Sequence, residues 1–416
     1  AFCVVYVDDF GLCCDPAFRD FFRERFFQAF TAKDLGRVTA VLQLSVAYDD
    51  RGIYLSQTRQ LQELMLKFKI QPKRQLSPMD EKLILQKPEN PDLSLVTPYL
   101  SLLGSLLWIA RCTRPDIYYS VIYLAQFSSC PSEQSYQALV RVLVYAHHTR
   151  HYRLAYHYPT VPLSVVTMQV YSDADHARDK VNDCLSYSGG TFFVCGMLLH
   201  WICARQCDAE MSSTGSEYVA ASVVGQKAMT FIHMLTEVFG HIRIAQQQPL
   251  TAAAVTTSSA HPVPDGTWQQ RAAEFFERHA MGYGQFGPDS PLLPGSYARD
   301  GSGPVEGNAL PHAAEVASDG SGCTEGPAAY HAMRSGMYAA GTHILPRLEL
   351  PVPVMIDNTA CISILGNVMQ SPKVKHVMVR FHCVRGWVRA GYLSPIYINT
   401  KMNLADLFTK PLAAMK

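Results

Sequence analysis

No two of the twelve cysteines are separated by two residues, so the paired thiolates of a zinc knuckle or ribbon are missing. His200, Cys203 and Cys207 lie close together without an evident fourth partner, and free thiols are the expectation there. No apolar run reaches about 18 residues, which leaves no evident membrane span. The first residues carry neither an initiating Met nor a basic leader, so no signal peptide is read. The chain opens in mid-strand, as a fragment of something longer would, and an intracellular, reduced protein is expected. Charge is also scarce, at 17% of residues with a net +1, so overall charge names no partner. Its distribution is uneven. Residues 351–416 hold eight Lys or Arg against two Asp, whereas residues 251–350 hold five Arg, no Lys and ten Asp or Glu. The basic end could meet a polyanion or be an ordinary solvated helix face.

What is present is apolar material, 48% of 416 residues, enough for two or three domains. Phe2–Tyr6 and Phe10–Cys13 read as strands around the acidic turn Asp8-Asp9, and Asp15–Phe30 as a helix. Val41–Tyr48 and Gly52–Leu55 read as a hairpin. In Gln57–Phe68, Leu61, Leu64, Met65 and Phe68 fall on one helix face. Gln71–Pro98 holds five prolines and reads as a linker or extended loop. Helices are expected over Tyr99–Ala110, Asp116–Phe127 and Ser132–Thr149, the last capped by Ser132.

The pattern changes near Val165. Strands are expected at Val165–Tyr171, Ser188–Cys195 and Leu198–Ile202, then one long helix over Thr214–Phe239. From about Ala245 to Leu348 the order breaks. Residues 251–350 contain 13 Gly, 9 Pro and 17 Ala, and a structureless connection of this length is improbable inside a domain. We read 245–348 as an insertion, mostly disordered and dispensable, or as translated non-coding sequence. Strand Val352–Ile356, helices Thr359–Val368 and His376–Ala390, strand Leu393–Ile398 and a short helix from Asn403 follow. Without the insertion, the expected fold class is α/β (α+β mixed), one mixed sheet with helices packed on it and Val165–Tyr171 beside Val352–Ile356.

Four carboxylates stand at element ends. Asp173 is placed just past its strand and Glu217 in the first turns of the long helix. Asp357 directly follows its strand, and Asp406 lies in the last short helix. Carboxylates gathered against apolar walls repel one another unless a cation lies between them. Each alone reads equally as a cap or turn residue, as Asp357-Asn358 would before a helix. Spacing does not choose between these readings.

The blocks Tyr171-Ser172-Asp173-Ala174-Asp175, Ser186-Tyr187-Ser188-Gly189, Trp201, Ser212-Ser213-Thr214 with Glu217-Tyr218, Ile356-Asp357-Asn358, Lys375-His376 through Arg380-Phe381-His382, and Ala405-Asp406 with Thr409-Lys410-Pro411-Leu412 occur in that order. Together they resemble the ribonuclease H part of copia-type (Pseudoviridae-like) long-terminal-repeat retrotransposon polyproteins, over about 165–245 and 350–416. His176-Ala177-Arg178 and the insertion depart from the family pattern. The resemblance implies an RNase H-like domain over 165–416. It makes Asp173, Glu217, Asp357 and Asp406 the catalytic, metal-binding carboxylates for two Mg²⁺, or Mn²⁺, and an RNA–DNA hybrid the substrate.

Tyr6-Val7-Asp8-Asp9 resembles the active-site hairpin of reverse transcriptases, with Asp8 and Asp9 as metal ligands. Asp34-Leu35-Gly36, Gly52–Gln57, Gly104–Leu107 and Thr113–Asp116 look like later parts of the same enzyme. By this resemblance, 1–70 is the C-terminal part of a truncated palm and thumb, and 71–160 the helical thumb or connection. The polymerase is expected to be silent alone, lacking an upstream carboxylate and the fingers. Expected partners are RNA template, DNA and the rest of the Pol polyprotein, with no membrane. The expected location is the cytoplasm, in the element's virus-like particle, or the nucleus. Lys373, Lys375, His376, Arg380 and Arg385 are candidates for phosphate contacts. His382 is placed near Asp406 only by family analogy, for product release or proton transfer, with a core or surface role as the alternative. The alternative function is a catalytically inactive nucleic-acid-binding remnant.

Overall fold

In the computed structural model the described residues are 2–7, 9–14, 16–89, 92–159, 163–177, 184–243, 346–366 and 382–412. Asp8, Lys373, Lys375, His376, Arg380 and nearly all of the expected insertion lie outside them. Strands β1 (Phe2–Tyr6) and β2 (Asp9–Cys13) form the expected antiparallel hairpin, with Tyr6 opposite Asp9. Helix α1 (Pro16–Ala29) follows, with Phe22 stacked on Phe10 and the Phe26 ring tilted against it.

The second hairpin also forms. Strands β3 (Ala40–Val41), β4 (Leu44–Tyr48) and β5 (Gly52–Ser56) are antiparallel, and Asp49 accepts the Arg51 and Gly52 amides at the β4–β5 turn. A fourth strand comes from far along the chain: β6 (Leu154–His157) pairs with β5. The sequence reading missed it because four residues carry too little periodicity to mark a strand. Helices α2 (Thr58–Lys67), α3 (Val96–Cys112), α4 (Tyr118–Ala125) and α5 (Glu133–His148) fill the space between. Ser132 caps α5 as expected, in a reciprocal box with Ser135. The proline-rich segment before α3 is irregular but anchored, with Met79 and Leu85 buried.

One expectation needs correction. Leu93–Cys112, made of a 3₁₀ turn and α3, is long and apolar enough by composition to cross a membrane. Part of its apolar surface is spent on the protein core, while Leu93, Leu100 and Trp108 are exposed. Tyr99, Leu102, Leu103, Leu106, Ile109 and Ala110 are all buried in the protein core.

The five-stranded sheet positions the acidic residues. Its order is β10 (Met197–Arg205), β9 (Tyr187–Val194), β8 (Met168–Asp175), β13 (Val352–Ile356), β14 (Leu393–Tyr397). The β10-β9-β8 half is antiparallel and the β8-β13-β14 half parallel. The expected neighbours do lie side by side, with Val354 opposite Val170 and Met355 opposite Tyr171. Helix α6 (Ser213–Phe239) lies on one face with α7 (Thr359–Gly366) and α8 (Cys383–Arg389), around Val170, Phe192, Val224 and Val354. The other face meets the helical region: Tyr187, Phe193 and Trp201 share a core with α3, α4 and α5, and the Trp201 indole donates to the Ala110 carbonyl at 3.0 Å. β9 is therefore buried on both faces, which explains why YSGGTFFV lacks the polar alternation of a half-exposed strand.

Boundaries moved in two places. The first strand of this sheet runs to Asp175 rather than Tyr171, after a short β7 (Val165–Val166), so Asp173 lies within a strand and opposite Gly189. The end of the expected insertion is also structured. β12 (Arg347–Leu350) lies parallel between β11 (His241–Arg243) and β7. A two-residue pairing leaves no periodic signal, so sequence placed Arg347 and Leu348 outside the fold.

Candidate metal centre

The parallel register brings two of the carboxylates together. Met355 lies opposite Tyr171, and two residues further along each strand stand Asp357 and Asp173. Glu217 enters from the fifth position of α6, whose start is fixed by Ser212, the hydroxyl of which accepts the Gly215 amide at 3.0 Å. One ligand atom from each of Asp173, Glu217 and Asp357 lies within 4.8 Å of the others. Asp173 is 3% and Glu217 7% exposed, so water does little to screen their repulsion.

Asp406 arrives from the 3₁₀ helix Leu404–Phe408. Asn403 pins that helix, donating to the Ser172 carbonyl at 2.9 Å and accepting the Ala405 amide at 3.2 Å. Asp406 faces Asp173 and pairs with Lys410, Nζ to Oδ1 at 3.0 Å. The Thr409 hydroxyl donates to Asp173 Oδ2 at 2.5 Å. The sequence reading used Thr409 and Lys410 only as family markers and gave Asn403 no role. An Asn just before a short helix is a capping signal that could have flagged it.

Gly189 makes this arrangement sterically possible. A Cβ there would lie 2.7 Å from the Ala405 carbonyl oxygen and 2.8 Å from Thr409 Cγ2. Both neighbours belong to the segment that carries Asp406. Gly189→Ala is therefore expected to displace that segment and destabilise the chain by about 1–3 kcal/mol. Thermal melts check this, and a melting temperature equal to wild type would show that the contact relaxes freely.

The electrostatics fit a cation. Burial, then the neighbouring Asp406, push the Asp173 carboxyl up to about 7. Burial, then Asp173 and Asp357, push Glu217 well above the usual carboxylate range. Asp357 is raised by burial and by Asp173, and Asp406 by burial against the opposing pull of Lys410. Glu217 accepts the Ala174 amide, while its buried Oε2 has no hydrogen-bond partner. Three grouped carboxylates, one of them with a buried, partnerless oxygen, are a donor set suited to a hard divalent cation such as Mg²⁺ or Mn²⁺.

Other expected site residues fall elsewhere. Asp9 is exposed at the head of β2, and its neighbour Asp8 lies outside the described residues. Among the described residues, the one group of three or more metal-type side chains this close is Asp173, Glu217 and Asp357. His200, Cys203 and Cys207 form no such group. The imidazole Nδ1 of His382 lies 2.7 Å from the hydroxyl of Tyr218, the neighbour of Glu217. Arg385 is 6% exposed, so the expectation of a surface phosphate contact there is corrected: α8 turns it inward.

A mixed α/β protein with a buried acidic cluster able to hold one divalent cation is the class that fold and site define. The chain belongs to the Ty1/copia-type retrotransposon Pol family. It is 30% identical over 223 residues to the putative transposon Ty5-1 protein of Saccharomyces cerevisiae, covering 52% of this chain and 70% of that protein. It is 30% identical over 236 residues to the retrovirus-related Pol polyprotein from transposon RE1 of Arabidopsis thaliana, covering 56% of this chain and 16% of that polyprotein. It is also 37% identical over 132 residues to the secreted RxLR effector protein 161 of Plasmopara viticola, covering 32% of this chain and 89% of that protein. The chain thus spans only about a sixth of the RE1 polyprotein. No protein-family model and no solved structure matches it.

Proposed function

We propose that this chain is a ribonuclease H, hydrolysing the RNA strand of RNA–DNA hybrids during retrotransposon reverse transcription. One observation carries the reading: strands β8 and β13 and helix α6, far apart in sequence, converge on Asp173, Glu217 and Asp357 with an unpartnered Glu217 oxygen among them. The β10-β9-β8-β13-β14 order of the mixed sheet and the Pol relationship support it.

Asp173, Glu217 and Asp357 hold the cation, with Asp406 alongside Asp173 as the fourth carboxylate. Two Mg²⁺ bound there would polarise the scissile phosphate, lower the pKa of the attacking water and neutralise the leaving oxygen. The chain supplies rigidity. Asp357 is fixed by strand β13, Glu217 by the capped start of α6, and Asp406 by Asn403. Backbone placement of this kind keeps metal ligands within a fraction of an ångström. The segment 1–160 is proposed as the end of a reverse transcriptase, with RNA template, DNA and the rest of Pol as partners in the element's particle.

The test uses the full chain, Mg²⁺ and a hybrid labelled on either strand. The RNA strand alone should be cut, and duplex DNA left intact. Hybrid binding without any cleavage would replace this reading with that of an inactive binding remnant.

A further inference from the structure

The four carboxylates do not form a symmetric basin. Three of them offer oxygens within 4.8 Å of one another, while Asp406 Oδ1 is engaged by the Lys410 ammonium at 3.0 Å. Lys410 follows Asp406 by four residues, just past the 3₁₀ helix, and Thr409 between them holds Asp173 Oδ2. The side chains of Lys410 and Asp406 are 33% and 12% exposed, so this pair is largely shielded from solvent. The ammonium also lies within Coulombic reach of Asp173 and Asp175.

We infer that Lys410 occupies the place of a second cation, so that the nucleic-acid-free protein binds one divalent ion at Asp173, Glu217 and Asp357, and a second only when Lys410 is displaced from Asp406. This rests on the metal-dependent reading above and assigns Lys410 a role in it. A second divalent ion bridging Asp173 and Asp406 would compete with Lys410 for the Asp406 carboxylate. It would also lie a few ångströms from a unit positive charge in a poorly screened setting, where like charges repel strongly. Lys410 is thus a positioning residue. It holds Asp406 in place and neutralises it until an incoming phosphate offers its own negative charge to the ammonium.

The test is Mn²⁺ binding to the full chain without nucleic acid, followed by calorimetry and by electron paramagnetic resonance. Wild type should take up one Mn²⁺ with the spectrum of an isolated ion. Lys410→Met should take up two, or bind the second at least roughly tenfold more tightly, with a spin-coupled spectrum. Lys410→Arg should stay at one. Lys410→Gln provides a second neutral variant should the Met variant fail to fold, as judged by circular dichroism. Two ions of similar affinity in wild type would overturn the inference while leaving the metal-dependent reading intact. So would a folded Lys410→Met or Lys410→Gln that binds one ion with wild-type affinity. Wild type and Asp357→Asn both binding no Mn²⁺ would overturn inference and reading together.

Discussion

Asp357→Asn is expected to lower single-turnover cleavage of an RNA–DNA hybrid on the order of a hundredfold or more, with hybrid binding close to wild type. Asp357 stands at the end of β13, one residue past Ile356, which pairs with Tyr397 of β14. The adjacent strand on its other side brings Asp173 level with it. Asn keeps the shape and one acceptor oxygen but loses the negative charge that opposes the cation. The lost interaction is strongest in the transition state, so rate suffers more than affinity. The bland role is also visible in the structure, one residue on: Asn358 Oδ1 accepts the Cys361 amide at 2.9 Å. Asn358 caps α7, so Asp357 is spared that task and Asn at 357 should leave the helix intact. Cleavage is measured in Mg²⁺ and binding separately in Ca²⁺. Equal cleavage by both proteins would remove Asp357 from the active site and undermine the four-carboxylate assignment.

The second large effect concerns stability without metal. Asp173 has a folded pKa of about 7 against an ordinary value of 3.8, raised by burial and then by Asp406. The folded state therefore binds this proton more tightly than the unfolded chain does. The resulting stability is complete below about pH 4 and is lost as pH rises through about 7. Glu217 shifts in the same direction and adds to the slope. Metal-free protein should lose a few kcal/mol across this window. Mg²⁺ should restore the loss at the alkaline end, since an ion held by the folded carboxylates and not by the unfolded chain stabilises the fold. Asp173→Asn should flatten the metal-free profile, raise the melting temperature above pH 7 and abolish the gain from Mg²⁺. Melts with chelator and with Mg²⁺ across this range decide it. A metal-free stability that rises with pH would contradict the buried, mutually repelling arrangement.

Long periodic segments were legible in the sequence. The expected Thr214–Phe239 helix is α6 within one residue, and the capping Ser132 sits where the pattern put it. Short or doubly buried segments were not. β6 and β12 gain their strand character from partners distant in the chain, and β8 extends through Asp173 because β9 pairs with it as far as Asp175. Arg385 reads in the sequence as one of a basic group that could contact phosphate, yet α8 turns it into the protein.

For the site, the sequence by itself determined the identities: which carboxylates follow which strand or begin which helix, and the family motifs that contain them. Only the tertiary structure decided their grouping. Proximity of Asp173 and Asp357 follows from a parallel register between strands separated by more than a hundred residues of chain, which local pattern does not encode. The approach of Asp406 depends on the missing side chain of Gly189, since a Cβ there would overlap the segment that bears it. Lys410 reads in the sequence as one more cation of a basic tail. Folding places its charge against Asp406, where burial makes a single ion pair consequential.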